Sequence, residues 1–83
     1  MTDLAKMMDR FANAGNAAET AYAVLREAIL NNTLKPGTRL RADEIAKQIG
    51  VSKTPVREAL RKLQAEDLIT VNPGNYLTVK VIT

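Results

Sequence analysis

Val51-Ser52-Lys53-Thr54-Pro55-Val56-Arg57-Glu58-Ala59-Leu60-Arg61-Lys62-Leu63 decides how the rest of the chain is read. At about 100° per residue, Val56, Ala59, Leu60 and Leu63 fall within roughly 100° of arc, the width of an ordinary core-facing stripe. Thr54, Arg57, Arg61 and, at the edge, Lys53 fall on the other side. Ser52 or Thr54 caps the helix. Pro55 is harmless there, because N–H groups of the first turn have no helical partner. A helix carrying its cations opposite its core can lie against a polyanion.

On the N-terminal side, Ala42–Ile49 reads as a short helix with Ile45, Ala46 and Ile49 inward. Gly50 supplies the residue tolerant of positive φ that a tight helix-to-helix turn needs, and Val51 can plug that turn into the core. A helix of about eight residues, a turn with glycine and a second helix make a helix-turn-helix. On the C-terminal side, after Glu66 and Asp67, the apolar period switches from 3.6 to 2. Leu68-Ile69-Thr70-Val71 is one strand, Asn72-Pro73-Gly74-Asn75 a turn by composition, and Tyr76–Ile82 a second strand with Leu77, Val79 and Val81 on one side. The expected fold is mainly α with a β-hairpin: a winged helix-turn-helix with a three-helix core plus wing, preceded by a short N-terminal amphipathic helix. In that arrangement the recognition helix, about 52–66, enters the major groove of double-stranded DNA, and the wing, 72–76, meets the minor groove or backbone.

Further upstream, Asn16 followed by Glu19 is a capping-box-like start for a helix running to about Asn31 or Asn32. Ala21, Leu25, Ala28 and Ile29 supply its buried face. Asn31-Asn32-Thr33 weakens it and Lys35-Pro36-Gly37 stops it with a turn. Thr38–Arg41 is long enough for one small strand. Residues 1–15 form an amphipathic helix or tail, with Leu4, Met7, Met8 and Phe11 on one side, Thr2 at the start and Gly15 at the end. That side buries on the domain, on a second copy or on a missing part. The domain itself is expected to span 16–83.

Composition narrows the function. The 83 residues include no cysteine and no histidine, so disulfides and Cys/His zinc sites are excluded, and a reducing cytoplasm fits. Only Phe11, Tyr22 and Tyr76 are aromatic, too few for a stacking platform for single strands. Residues 1–34 carry three cations against four carboxylates, whereas residues 35–83 carry nine against five. The net charge of +3 is therefore a basic C-terminal half. No signal peptide or membrane span is read, and the expected location is intracellular, in the cytoplasm. With no placed carboxylate pair, no reaction is proposed: the chain is read as not an enzyme, with no metal and no cofactor of its own.

Pro36-Gly37-Thr38-Arg39-Leu40, Glu44-Ile45-Ala46-Lys47-Gln48-Ile49-Gly50 and above all Val51-Ser52-Lys53-Thr54-Pro55-Val56-Arg57-Glu58-Ala59-Leu60 resemble the GntR family of bacterial transcription regulators. The run from Thr54 to Leu60 most resembles its FadR-like branch. The resemblance covers about Tyr22 to Val81 and implies a winged-helix domain that binds operator DNA as a homodimer, on a palindromic site. It implies that Lys53 stands where the family usually has arginine, keeping the charge but losing the bidentate fork for guanine. Arg57 matches an arginine that reaches base edges, Ser52 and Thr54 match hydroxyls near phosphates, and Gly74 matches the wing-tip glycine. Asp67 replaces the usual glycine, which implies a strained or differently bent lead-in to the wing. Family members also carry a C-terminal effector-binding domain, often with a metal in the FadR-like branch. The chain is then either the DNA-binding part of a longer effector-responsive regulator, the preferred reading, or a short stand-alone protein.

The expected DNA-binding residues are Arg41, Ser52, Lys53, Thr54, Arg57, Arg61, Asn72, Gly74 and Asn75. Taken singly, each cation reads as part of a solvated face; together, between a helix-turn and a hairpin, they read as an interface. Lys62 is expected to be solvated or paired with Glu58 at i, i+4. Glu58 points near the groove side, where capping or pairing is a better use than accepting from cytosine. Arg39 is a weaker candidate than Arg41, and a short strand can turn either away. For Asn72, Asn75 and Tyr76, plain turn chemistry competes evenly with DNA contact. A single copy should bind non-specific DNA at roughly 10⁻⁴ to 10⁻⁶ M, and linking two could gain about 10²- to 10⁴-fold. The alternative is a winged-helix protein-interaction module, which a shallow salt dependence of DNA binding would favour.

Overall fold

A computed structural model describes residues 3–8 and 15–81. Helix α1 (Asp3–Met8) is followed by α2 (Ala17–Leu30), strand β1 (Arg39–Leu40), α3 (Ala42–Ile49), α4 (Lys53–Ala65), β2 (Ile69–Asn72) and β3 (Tyr76–Val79). Leu4 and Met7 of α1 are buried in the common core, and α1 packs on α2 and α3. The apolar side of the first helix therefore has a place on its own domain. Thr2 and Phe11 lie outside the described residues.

Asn16 caps α2 as its spacing to Glu19 predicts: the Glu19 N–H donates to Asn16 Oδ1 at 2.9 Å. The buried face of α2 is Thr20, Ala21, Val24, Leu25 and Ala28. Ile29, expected inside, is only partly buried against the core rim, because α4 covers the Ala21–Val24–Leu25–Ala28 stripe. Helix α3 ends at Gly50, whose φ of 76° puts it in the left-handed region, and Val51 packs half-buried against the core. Helix α4 buries Val56, Ala59, Leu60 and Leu63, the stripe read from its spacing, against α2 and α3. Burying a Leu or Val side chain contributes about 1.5–3 kcal/mol, and this stripe fixes which side of α4 stays outside. Ser52 occupies the N-cap position, but neither its hydroxyl nor another side chain makes a capping hydrogen bond.

The end of α4 explains the unusual Asp67. The Asp67 N–H donates to Gln64 O and the Leu68 N–H to Leu63 O, both at 3.0 Å, while Asp67 has φ 64°. This is a Schellman ending with Asp67 in the left-handed position that glycine usually fills. Lys80 pairs with the Asp67 carboxylate.

The sheet has the order β1-β3-β2, all antiparallel. Thr38–Arg41 does yield a strand, and it widens the hairpin to three strands. Pairing of Arg39 with Thr78, and of Thr70 with Thr78, puts Arg39, Thr70, Thr78, Asn72 and Tyr76 on one face. Leu40, Ile69 and Val79 are buried on the other. Strand β3 is shorter than its alternation predicts. It ends at Val79, which Gly37 and Thr38 bracket through backbone bonds of 2.9 Å, and Val81 is 58% exposed rather than inward. Ile82 lies outside the described residues. No helix among the described residues is long and apolar enough to cross a membrane.

Candidate nucleic-acid interface

The stripe of α4 opposite its core carries Lys53, Arg57, Arg61 and Gln64, spaced four, four and three residues apart and so stacked on one side. These four side chains form one wall of an open cleft of about 410 Å³. Arg39 and Arg41 line it from the β1 side, together with Asn75 and Tyr76 at the turn end of the hairpin. Leu40, Leu60 and Leu77 also line it. Five cations thus converge on a concave surface where, among the described residues, Asp43 is the one acidic lining residue. The cleft lies between α4 and the hairpin.

The expected residues divide over this geometry. Arg41, Lys53, Arg57, Arg61 and Asn75 share the cleft. Ser52 and Thr54 are exposed on the opposite flank of the first turn of α4, in a shallow groove with Pro55, Glu58 and the start of α2. Gly74, with φ 89°, and Asn75, with φ 62°, form the left-handed tip of the hairpin, where Asn75 N–H donates to Asn72 O at 3.0 Å. Asn72 is turned inward along the hairpin. Its amide donates to Thr78 Oγ1 at 3.0 Å, Tyr76 O at 3.2 Å and Thr70 O at 3.3 Å. Its side-chain donors are engaged within the hairpin.

Three expectations about neighbours need correction. Glu58 faces the α2 side rather than the cleft, because it lies on α4 beside Asn16 and Ala18. Lys62 is exposed, the first of its two expected settings, but it does not pair with Glu58; its Nζ sits 4.7 Å from the centre of the Tyr22 ring. Arg39, the weaker candidate, belongs to the cleft, where its guanidinium lies 4.8 Å from the centre of the Tyr76 ring. Sequence reasoning also passed over Gln64. The spacing from Arg57 and Arg61 would have found it, whereas Arg39 needed the strand register.

Among the described residues, Arg41 alone of the five cations has carboxylates nearby, Asp43 and Glu44, each at 4.0 Å. No group of three or more His, Cys, Asp or Glu residues among them is placed to hold a metal.

Residues 17–79 match the family model described as "Bacterial regulatory proteins, gntR family". The chain belongs to the GntR family. The match covers its helix-turn-helix DNA-binding domain, with the winged-helix fold. An HTH-type transcriptional regulator in the TAR-I ttuE-ttuC' intergenic region of Agrobacterium vitis is 40% identical over 79 residues, 95% of this chain and 44% of the relative. The HTH-type transcriptional repressor RspR of Escherichia coli is 40% identical over 58 residues, 68% of this chain and 25% of that protein. Among solved structures, a GntR-family transcriptional regulator of Pseudomonas syringae superposes with a TM-score of 0.74 at 41% identity, over 80% of this chain and 28% of that one. This GntR domain therefore spans less than half the length of the curated relatives it matches.

Proposed function

We propose that this GntR domain reads a specific duplex sequence through Lys53 and Arg57, and holds its register through phosphate contacts on both flanks of α4. A helix seated in the major groove, about 12 Å wide, has a phosphate strand on each side. Ser52 and Thr54 would meet one strand, and the uncapped Ser52 hydroxyl leaves an acceptor and a donor for it. Arg61, Arg41 and the wing residues Gly74 and Asn75 would meet the other. Phosphate contacts position, and base contacts specify. Arg57 has the planar fork that matches guanine O6 and N7, whereas Lys53 presents a point charge with less discrimination. Asn72 acts in this reading by bracing the hairpin that carries Gly74 and Asn75.

The observation that carries the proposal is the convergence of the cations on a cleft that supplies them with so little opposite charge. A folded surface with unneutralised cations at such density gains stability when a polyanion fills it. The resemblance of Thr54–Leu60 supports placement in the FadR-like branch. Two copies on a palindrome, acting on DNA in the cytoplasm and switched by an effector held elsewhere in a longer protein, complete the reading. The greater length of the relatives supports that last element. Repression is the mode suggested by the name of the E. coli relative. No catalysis is assigned to the domain.

Selection of bound sequences from a random duplex pool, with and without an appended dimerising domain, tests the proposal. A half-site should emerge in both cases, repeated as a palindrome with the dimeriser. Failure to enrich any sequence in either format contradicts it.

A further inference from the structure

The two arginines of the β1 region differ in what surrounds them. Arg41 lies 4.0 Å from two carboxylates, Asp43 and Glu44, so part of its field is already answered. Arg39 is exposed, has no carboxylate within 4 Å among the described residues, and rests over the Tyr76 ring at 4.8 Å. The contact follows from register. Arg39 pairs with Thr78, and Tyr76 is the next residue of β3 on the same face. Such a seat holds a guanidinium by attraction to the ring's negative face while leaving its N–H edge free. It also restricts a side chain that otherwise loses much rotamer freedom on binding. Arg39 and Tyr76 stand across the cleft from Arg57 and Arg61.

We infer that Arg39, seated on Tyr76, is a phosphate-binding residue of this domain, and that Tyr76 is its positioning residue. The inference rests on the DNA-facing reading of the cleft given above. The ligand group is a backbone phosphate of the strand that passes between α4 and the wing. Arg39 therefore contributes affinity without sequence preference, in contrast to Arg57. Arg41, screened by its neighbours, contributes less than Arg39 although it lies nearer to α3.

The test is a double-mutant cycle read by fluorescence anisotropy on the selected half-site and on a scrambled duplex, across a range of salt. Thermal melting checks that each variant is folded. Arg39→Gln should weaken binding to both duplexes by about tenfold, the scale of one lost charge-assisted contact. It should also reduce the salt slope by about 0.9, one phosphate. Tyr76→Leu should lower the salt slope in the same direction, a change that loss of hairpin packing alone would not bring. Tyr76→Phe should match the parent, since it keeps the ring. The double variant Arg39→Gln/Tyr76→Leu should bind no worse than Arg39→Gln. An Arg39→Gln variant that binds within twofold of the parent overturns the assignment. Additive losses in the double variant overturn the positioning role. Arg57→Gln in the same assay separates the two levels. If Arg57→Gln weakens half-site binding and Arg39→Gln does not, only this inference fails. If neither variant changes binding, the DNA-facing reading fails with it.

Discussion

Helix α4 has two charged flanks, and the molecule treats them differently. On the flank toward α2, Lys62 lies over the Tyr22 ring and Glu66 accepts a 2.5 Å hydrogen bond from the Tyr22 hydroxyl. On the flank toward the wing, Lys53, Arg57 and Arg61 have no carboxylate within 4 Å among the described residues. Lys62 and Glu66 are thus answered internally by Tyr22, whereas the three cations of the other flank are left open. A charge that finds its partner inside the fold belongs to the scaffold. A cluster that does not is waiting for a partner, and this distinction separates α4's structural side from its recognition side better than charge alone.

The widest separation between the two should come from the buried stripe between them. Leu63 is fully buried, so Leu63→Ala is expected to cost about 2–5 kcal/mol of stability in urea or thermal unfolding. It should abolish DNA binding only where the fold is lost. Arg57→Ala sharpens the contrast from the open flank. It should leave the melting temperature almost unchanged while removing about 1–3 kcal/mol of specific binding and relaxing the preferred sequence. A variant that binds the half-site as well as the parent breaks the groove assignment.

Tyr22→Phe probes the answered flank and should do the reverse, costing about 0.5–1 kcal/mol of stability with no change in DNA affinity. The Tyr22 pKa is raised above 10.0, chiefly by the hydrogen bond to Glu66, then by burial and the Glu66 charge, with Arg26 pulling the other way. A raised pKa means that the neutral phenol is the form the fold stabilises. The contribution is therefore complete below pH 10 and is lost as pH rises through the raised value. Denaturation measured from pH 9 upward should show this decline in the parent and not in Tyr22→Phe. Asp67→Gly should have the smallest effect. It relieves the left-handed conformation of a non-glycine residue but removes the exposed pairing with Lys80, worth about 0–1 kcal/mol. The net change should be within about 1 kcal/mol of the parent in chemical denaturation.

Much of the scaffold was legible because apolar spacing and turn chemistry are local. The four-residue stripe of α4, the bounds of α3 and the left-handed Gly50 all follow from neighbours within a few positions. The Asn16 cap is legible for the same reason. What escaped depends on partners far apart in the chain. Arg39 acquires its orientation from Tyr76 through a strand pairing that no local pattern specifies. Spacing of four residues left Lys62 either solvated or paired with Glu58, but α2 offers each a different neighbourhood. Asn72 carries the same polar label as Asn75 and points into the hairpin, since it sits in the ladder opposite Tyr76 while Asn75 sits at the tip. The resemblance to a glycine-bearing family position drew notice to Asp67; only the pair of backbone bonds at the end of α4 shows why a left-handed residue is required there.

The contrast between answered and open charges stands or falls on one quantity, the dependence of DNA affinity on salt. If the open flank, the β1 arginines and the wing together neutralise three to five phosphates, a plot of log affinity against log salt should fall with a slope of roughly −3 to −4.5. A slope shallower than about −1 would mean that the cleft does not hold a phosphate strand, and would return the domain to the class of protein-interaction modules.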